Sequence, residues 1–188
     1  MPTLFGGAIE LELPERFEDI SSYRDVPDNQ EVFTDGDLDQ SVIVEILERA
    51  PVDDAESAEF LFRDYASEGE ASSCTVQTCR RLDTGEIPLL PAGTDAFLAT
   101  GVQRVAKQGD SKELGNELQV LLAVVRLPQV NSDILITLNT PIYINPASRT
   151  AKHVAAGHQA THEHAPAEFA ALLTTFTVLD WGLFGSPQ

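Results

Sequence analysis

Two apolar runs joined by one short polar link constrain this chain more than any other feature. Leu118 to Leu127 is almost continuously apolar, and so is Ile134 to Leu138. Between them stands Pro128-Gln129-Val130-Asn131-Ser132-Asp133, rich in turn formers. A strand that is apolar at successive positions buries both of its faces, so each run reads as a central strand of a sheet covered on both sides. So short a link cannot hold a crossover helix, so the two strands are expected to be antiparallel neighbours. Pro141 is expected to close the second strand. The rest of the fold has to be arranged around this hairpin.

Shorter segments supply the other layers. Ile9, Leu11 and Leu13 alternate with acids and predict a half-buried strand that ends at Pro14. Glu15 to Tyr23 reads as an irregular turn with a helical piece at Phe17 to Ser22. A strand is expected from about Gln30 to Phe33. Ser41 to Ala50 suits strand or helix; its leading β-branched residues and the early Pro51 favour strand. Asp53 to Ala66 predicts a helix, with Asp53 or Asp54 as cap and Ala58, Leu61, Phe62 and Tyr65 on one face. Strands are expected over Ser72–Leu82 and Asp95–Lys107. Asn145 to His164 shifts toward Ala, His, Gly and Thr and reads as a loop or insertion. Pro166 to Val178 predicts a terminal helix with Phe169, Leu172, Leu173 and Phe176 on its apolar face. Trp181 and Phe184 are expected to pack back on the body. The sum is an α+β fold: an antiparallel sheet of about six strands sandwiched by helices, in one domain over residues 1–188 with an insertion at 145–165.

Charge narrows the partners. The net charge is −18. Residues 1–70 carry 20 Asp/Glu against 4 Lys/Arg, whereas residues 71–188 carry 10 against 8. Such a field repels nucleic acid and anionic membrane and attracts basic partners; solubility alone also selects acidic surfaces. No apolar run approaches a membrane span, and residues 1–8 lack the pattern of a secretory signal. Cys74 and Cys79 lack metal or redox spacing and are expected as free thiols in a reducing compartment. Their odd separation would place them on opposite faces of one strand.

No catalytic constellation emerges. There is no phosphate-binding glycine loop and no Gly-x-Ser-x-Gly elbow. Asp35, Asp37 and Asp39 have the opening spacing of an EF-hand loop, but Gln40 stands where glycine is required and Ile46 where the bidentate glutamate belongs. Asp35-Gly36-Asp37 instead predicts a turn, with Gly36 available for a positive φ. His153, His158, His162 and His164 fall within twelve residues and have ligand character, but they stand in a polar, loop-like stretch without His-Glu-x-x-His order. Neither metal nor cofactor is expected.

One stretch has the character of a recognition surface: Arg24-Asp25-Val26-Pro27-Asp28-Asn29-Gln30-Glu31-Val32-Phe33. Pro27 fixes its own φ and holds Val26 extended. Asp28 and Asn29 favour a turn. Asp25, Asp28 and Glu31 would therefore project from a stiffened piece of chain that runs into a strand. A plain solvated turn is the alternative on these residues alone.

Several segments, in order, resemble one family, the Ran guanine-nucleotide release factors or Mog proteins. They are Leu4-Phe5-Gly6-Gly7-Ala8; Asp25 to Phe33; Asp39 to Glu48; Ala123-Val124-Val125-Arg126-Leu127-Pro128-Gln129; Asp133 to Asn139; and Asp180 to Gly185. Residues 53–59, 68–93 and 145–165 depart from the pattern. The resemblance implies a PsbP-like sheet between helices. It implies binding to the small GTPase Ran, release of its guanine nucleotide without covalent chemistry, and a role in transport between nucleus and cytoplasm. It also implies an acidic Ran-binding surface at Asp19, Asp28 and Glu31; Asp25 joins them from the local reading, and Pro27 braces the site. A monomer is expected. An acidic adaptor for basic proteins and a small-ligand or metal-binding module on the same fold are the competing expectations.

Overall fold

The computed structural model describes residues 3–152, 154 and 163–185. The predicted hairpin is its centre: β8 (Asn116–Leu127) and β9 (Ser132–Tyr143) pair antiparallel through Leu121↔Leu138 and Ala123↔Ile136. Pro128–Val130 forms a single 3-10 turn between them, closed by Asn131 in the left-handed region at φ 49°.

Around this pair the chain adds β3 (Glu18–Asp19), β4 (Gln30–Asp35), β5 (Gln40–Glu48), β6 (Ser73–Arg81) and β7 (Asp95–Val105). The sheet has seven strands in the order β3-β4-β5-β9-β8-β7-β6, and every neighbouring pair is antiparallel. A small second sheet joins β1 (Thr3–Leu4), β2 (Ile9–Glu10) and β10 (Thr177–Val178). Among the described residues, two α-helices cover opposite faces of the large sheet. Helix α1 (Asp54–Glu68) buries Ala58, Leu61 and Phe62 against Phe97, Leu122 and Val124. Helix α2 (Ala165–Thr175) buries Phe169, Leu172 and Leu173 with Leu121, Val125 and Ile136. Successive residues of β8 thus feed two different cores, which is why its sequence is apolar without alternation. Each fully buried Leu or Phe contributes about 1.5–3 kcal/mol. Trp181 and Phe184 pack on the α2 side, as expected.

One close approach depends on glycine. A Cβ on Gly101 of β7 would lie 2.3 Å from the Thr75 carbonyl oxygen and 2.7 Å from Phe62 Cζ. The missing side chain lets the α1 aromatic ring rest on the sheet.

Several local expectations change. Leu11 and Leu13 keep the inward alternation begun at Ile9, but strand pairing stops at Glu10. Phe17–Ser22 holds no helix; Glu18–Asp19 pairs with β4, and the Ile20 amide donates to the Val32 carbonyl at 3.1 Å. The open edge of β4 outcompetes so short a helix. Pro141 lies inside β9, not at its end. The β5 partners stop at Asn139, so the missing N–H of Pro141 removes no bond to β5. Asp53 stands before α1 without a side-chain cap bond. In the turn after β4 the positive φ belongs to Asp39, not to Gly36; Asp35 Oδ1 accepts from the Asp37 and Leu38 amides. Cys74 and Cys79 share a face after all, because a register shift between Val76 and Thr78 inserts one extra residue. They pair with Gln103 and Ala99, about 13 Å apart at 3.3 Å per residue, too far for a disulfide.

The hairpin end is held by a buried ion network. Arg126 is 1% exposed. Its guanidinium donates to Asp133 Oδ2 at 2.9 Å, to Asp54 Oδ1 at 3.0 Å and to the carbonyls of Ala50 and Val52. Asp133 Oδ2 also accepts from the Ala50 amide at 2.9 Å. Burial pushes the Asp133 carboxyl up, and the Ala50 N–H and the Arg126 charge draw it back. The Arg-Leu-Pro-Gln segment is therefore a fastening of the β5–α1 link onto the hairpin.

Candidate functional site

The acidic stretch forms the approach to β4. The Tyr23 and Arg24 amides both donate to the Ile20 carbonyl, at 2.9 and 3.1 Å, which turns the chain after β3. Asp25 to Pro27 runs without regular structure, and the Gln30 amide then donates to the Pro27 carbonyl at 2.9 Å. That bond closes a turn with Asp28 and Asn29 at its tip. Asn29 fixes the turn to the sheet: the Ile46 amide donates to the Asn29 carbonyl at 2.9 Å, and Asn29 Nδ2 donates to the Ile46 carbonyl at 3.1 Å.

The four acids do not share one environment. Asp25 and Asp28 are exposed. Asp19 is exposed on β3 opposite Phe33, and its Oδ1 accepts from the Ser21 amide at 2.8 Å. Glu31 is half-buried on β4 opposite Val44. Its Oε1 accepts from the Phe5 amide at 2.8 Å. Phe5, Gly6 and Gly7 all have positive φ, at 51°, 67° and 98°. Glu31 thus anchors a left-handed turn of the Phe5-Gly6-Gly7 segment. Alternation places Asp19 and Glu31 on the α2 side of the sheet, with Phe33. Pro27 is exposed, and its carbonyl closes the turn. Asp25 and Asp28 mark the corner where the two sheet faces meet at the head of β4.

A second feature lies on the α1 side of that corner and escaped the sequence reading. A cleft of about 510 Å³ opens between β4, β5, β7–β9 and the end of α1. Its floor carries buried polar side chains. Glu45 is 6% exposed, and its Oε1 accepts from Gln30 Nε2 at 2.7 Å and Asn29 Nδ2 at 3.4 Å. Burial pushes the Glu45 carboxyl up; the Gln30 and Asn29 amides oppose this, and Glu68 and Asp64 add to it by repulsion. Asn139 Nδ2 donates to Ser41 Oγ at 3.0 Å and to the Tyr65 hydroxyl at 2.7 Å, while Asn139 Oδ1 lacks a partner among the described residues. Burial raises the Tyr65 hydroxyl to about 12, so it stays protonated. The available signal was Glu45 itself, an acid in the middle of Val42-Ile43-Val44-Glu45-Ile46-Leu47.

The histidine cluster falls largely outside the described residues: His153, His158 and His162 are not among them. His164 immediately precedes α2, and its carbonyl accepts from the Glu168 amide at 3.0 Å. No group of His, Cys, Asp and Glu suited to a metal ion occurs among the described residues.

Known proteins are similar to this chain in sequence and in fold. A family described as "Ran-interacting Mog1 protein" matches residues 2–141. A Ran guanine nucleotide release factor from Danio rerio is 37% identical over 186 residues, covering 97% of this chain and 98% of that protein. The nuclear import protein mog1 of Schizosaccharomyces pombe is 31% identical, covering 76% of this chain and 77% of that protein. The crystal structure of the Saccharomyces cerevisiae Ran-binding protein Mog1p superposes with a TM-score of 0.67 at 23% identity, over 98% of this chain and 97% of that one, a likeness of fold.

Proposed function

The chain belongs to the Ran-interacting Mog1 protein family, and on that premise we propose that it binds the GTPase Ran through its acidic corner and promotes release of the bound guanine nucleotide. Membership of the family is the observation that carries the proposal. The exposed, braced acids at Asp25 and Asp28, with Asp19 and Glu31 on the adjoining face, are what this chain offers a basic surface.

The mechanism is binding alone, with no covalent step. A GTPase holds its nucleotide with backbone amides, a lysine and magnesium. A partner that binds the loosened or empty state more tightly shifts the equilibrium toward release by its differential affinity. The turn is already closed by the Pro27–Gln30 bond and tied to Ile46 by Asn29, so little of its freedom is lost on docking. The protein acts as a monomer in the nucleus and the cytoplasm, in support of nuclear transport.

Ran loaded with a fluorescent guanine nucleotide tests the proposal. Adding the protein should accelerate loss of fluorescence from bound nucleotide. The acceleration should fall as salt rises from about 0.05 to 0.3 M, because the Debye length then drops well below 10 Å. No acceleration at any salt concentration, with many unrelated basic proteins bound equally well, would favour an acidic adaptor. Acceleration indifferent to salt would leave the acidic field to solubility.

A further inference from the structure

The cleft beside the turn holds a nearly buried carboxylate and a buried amide oxygen with no partner among the described residues. Glu45 is nearly buried yet carries a carboxylate whose hydrogen-bond donors among the described residues are two neutral amides, Gln30 and Asn29. Glu68, at the end of α1, lines the same cleft. Asp64 lies close enough to repel Glu45, and exposed Arg24 stands at the wall. Lys107 also lines the cleft but is engaged by Asp39 at 2.8 Å. Asn139 is 5% exposed, lines the cleft and has an acceptor oxygen with no partner among the described residues. A buried acceptor left unpaired costs free energy that a suitable donor would recover. A chain selected for stability alone would place Gln at position 45, which keeps the acceptor and discards the charge.

The cleft is continuous with the acidic corner. Gln30 and Asn29 belong to the Pro27–Gln30 turn and also hold the Glu45 carboxylate. Gln30 and Glu31 point to opposite faces, so a body docked on the turn reaches both. We propose that the cleft takes the side chain of a lysine or arginine presented by the protein docked on the turn, with Glu45 as its counter-charge and Asn139 and Glu68 as further acceptors. This deepens the Ran-binding reading and rests on it for the identity of the partner. A guanidinium or ammonium brings only donors and a positive charge, which matches the Glu45 carboxylate and the Asn139 oxygen.

Two measurements test it. In the first, Glu45→Gln and Asp28→Ala are compared with the wild type in Ran binding and in thermal melting. Glu45→Gln should raise Tm by about 2–4 °C, since it removes a desolvated, repelled charge, and should weaken Ran binding at least about 10-fold. Wild-type affinity in Glu45→Gln beside a weakened Asp28→Ala would overturn the cleft and leave the Ran reading standing. In the second, Nα-acetyl-arginine amide is titrated into the isotopically labelled protein, with the neutral citrulline analogue as control. The arginine compound should shift the amide resonances of Ser41, Glu45 and Asn139 in the wild type and not in Glu45→Gln; the control should shift neither. Equal shifts from both compounds, or none from either, would overturn the cleft whatever Ran does. If this titration succeeds while wild-type protein fails to bind Ran, only the identity of the partner falls.

Discussion

Arg126→Ala should lower the unfolding free energy by about 3–5 kcal/mol, the typical cost of removing one partner from a buried ion pair. The guanidinium has four partners: it neutralises Asp133, holds Asp54 at the start of α1, and donates to the carbonyls of Ala50 and Val52. Alanine leaves Asp133, 0% exposed, with the Ala50 amide as its one remaining hydrogen-bond donor among the described residues and with Arg49 as the nearby positive charge, partly offset by Asp54; its other oxygen already lacks a partner among the described residues. It also leaves the Val52 carbonyl without its guanidinium donor and the Ala50 carbonyl with the Val52 amide alone. Urea unfolding followed by far-UV circular dichroism measures the loss. With a slope of about 1–3 kcal/mol/M, the midpoint should move by more than 1 M. The double variant Arg126→Met with Asp133→Leu removes both charges and should recover part of the loss, because the desolvation penalty disappears with them. A single alanine variant within about 1 kcal/mol of the wild type would show that water replaces the guanidinium and that the network is dispensable.

That network also shows where sequence reasoning stops. The central hairpin was legible because burial on two faces leaves a run with no alternation, and Leu118 to Leu127 has that form. Helix α2 was legible because Phe169, Leu172 and Leu173 recur at helical spacing. What could not be read were features set by residues distant in the chain. Glu18–Asp19 becomes a strand because β4 presents an open edge, and nothing in its own composition announces that. Asp54 looked like a helix cap, yet it pairs with Arg49 at 2.6 Å and Arg126 at 3.0 Å, the second from 72 positions away. The parity of Cys74 and Cys79 was misjudged because a bulge leaves no mark in the spacing of the residues it displaces. At the acidic corner, local chemistry gave the turn correctly: Pro27 and Gln30 close it through one backbone bond. It could not give the partner of Glu31, since Phe5 lies 26 residues away. Nor could it give the cleft, whose walls come from α1 and five strands.

The difference between Glu31 and Asp28 leads to the second large effect. Asp28→Ala should weaken Ran binding by about 2–5 kcal/mol if its carboxylate is desolvated against a basic group on docking, and by far less if it stays at a wet rim. Because Asp28 is exposed at the tip of a turn closed by backbone bonds, its removal should leave the melting temperature unchanged within about 1 °C. Glu31→Ala should weaken binding as well, but by a route the melting curve reveals. It strips the acceptor from the Phe5 amide, so the left-handed Phe5-Gly6-Gly7 turn loses its anchor and stability falls by about 1 kcal/mol. Glu31→Gln separates the two contributions. It keeps an oxygen for Phe5 and should restore the melting temperature, while the missing charge leaves Ran binding weak. If Glu31→Gln instead binds Ran like the wild type, Glu31 serves only to hold the N-terminal turn in place, and the contact surface contracts to Asp25, Asp28 and Asp19. Should Asp28→Ala and Glu31→Gln both retain full affinity, the docking surface lies elsewhere on this fold. Titration calorimetry against nucleotide-free Ran, with melting curves on the same samples, distinguishes all three outcomes.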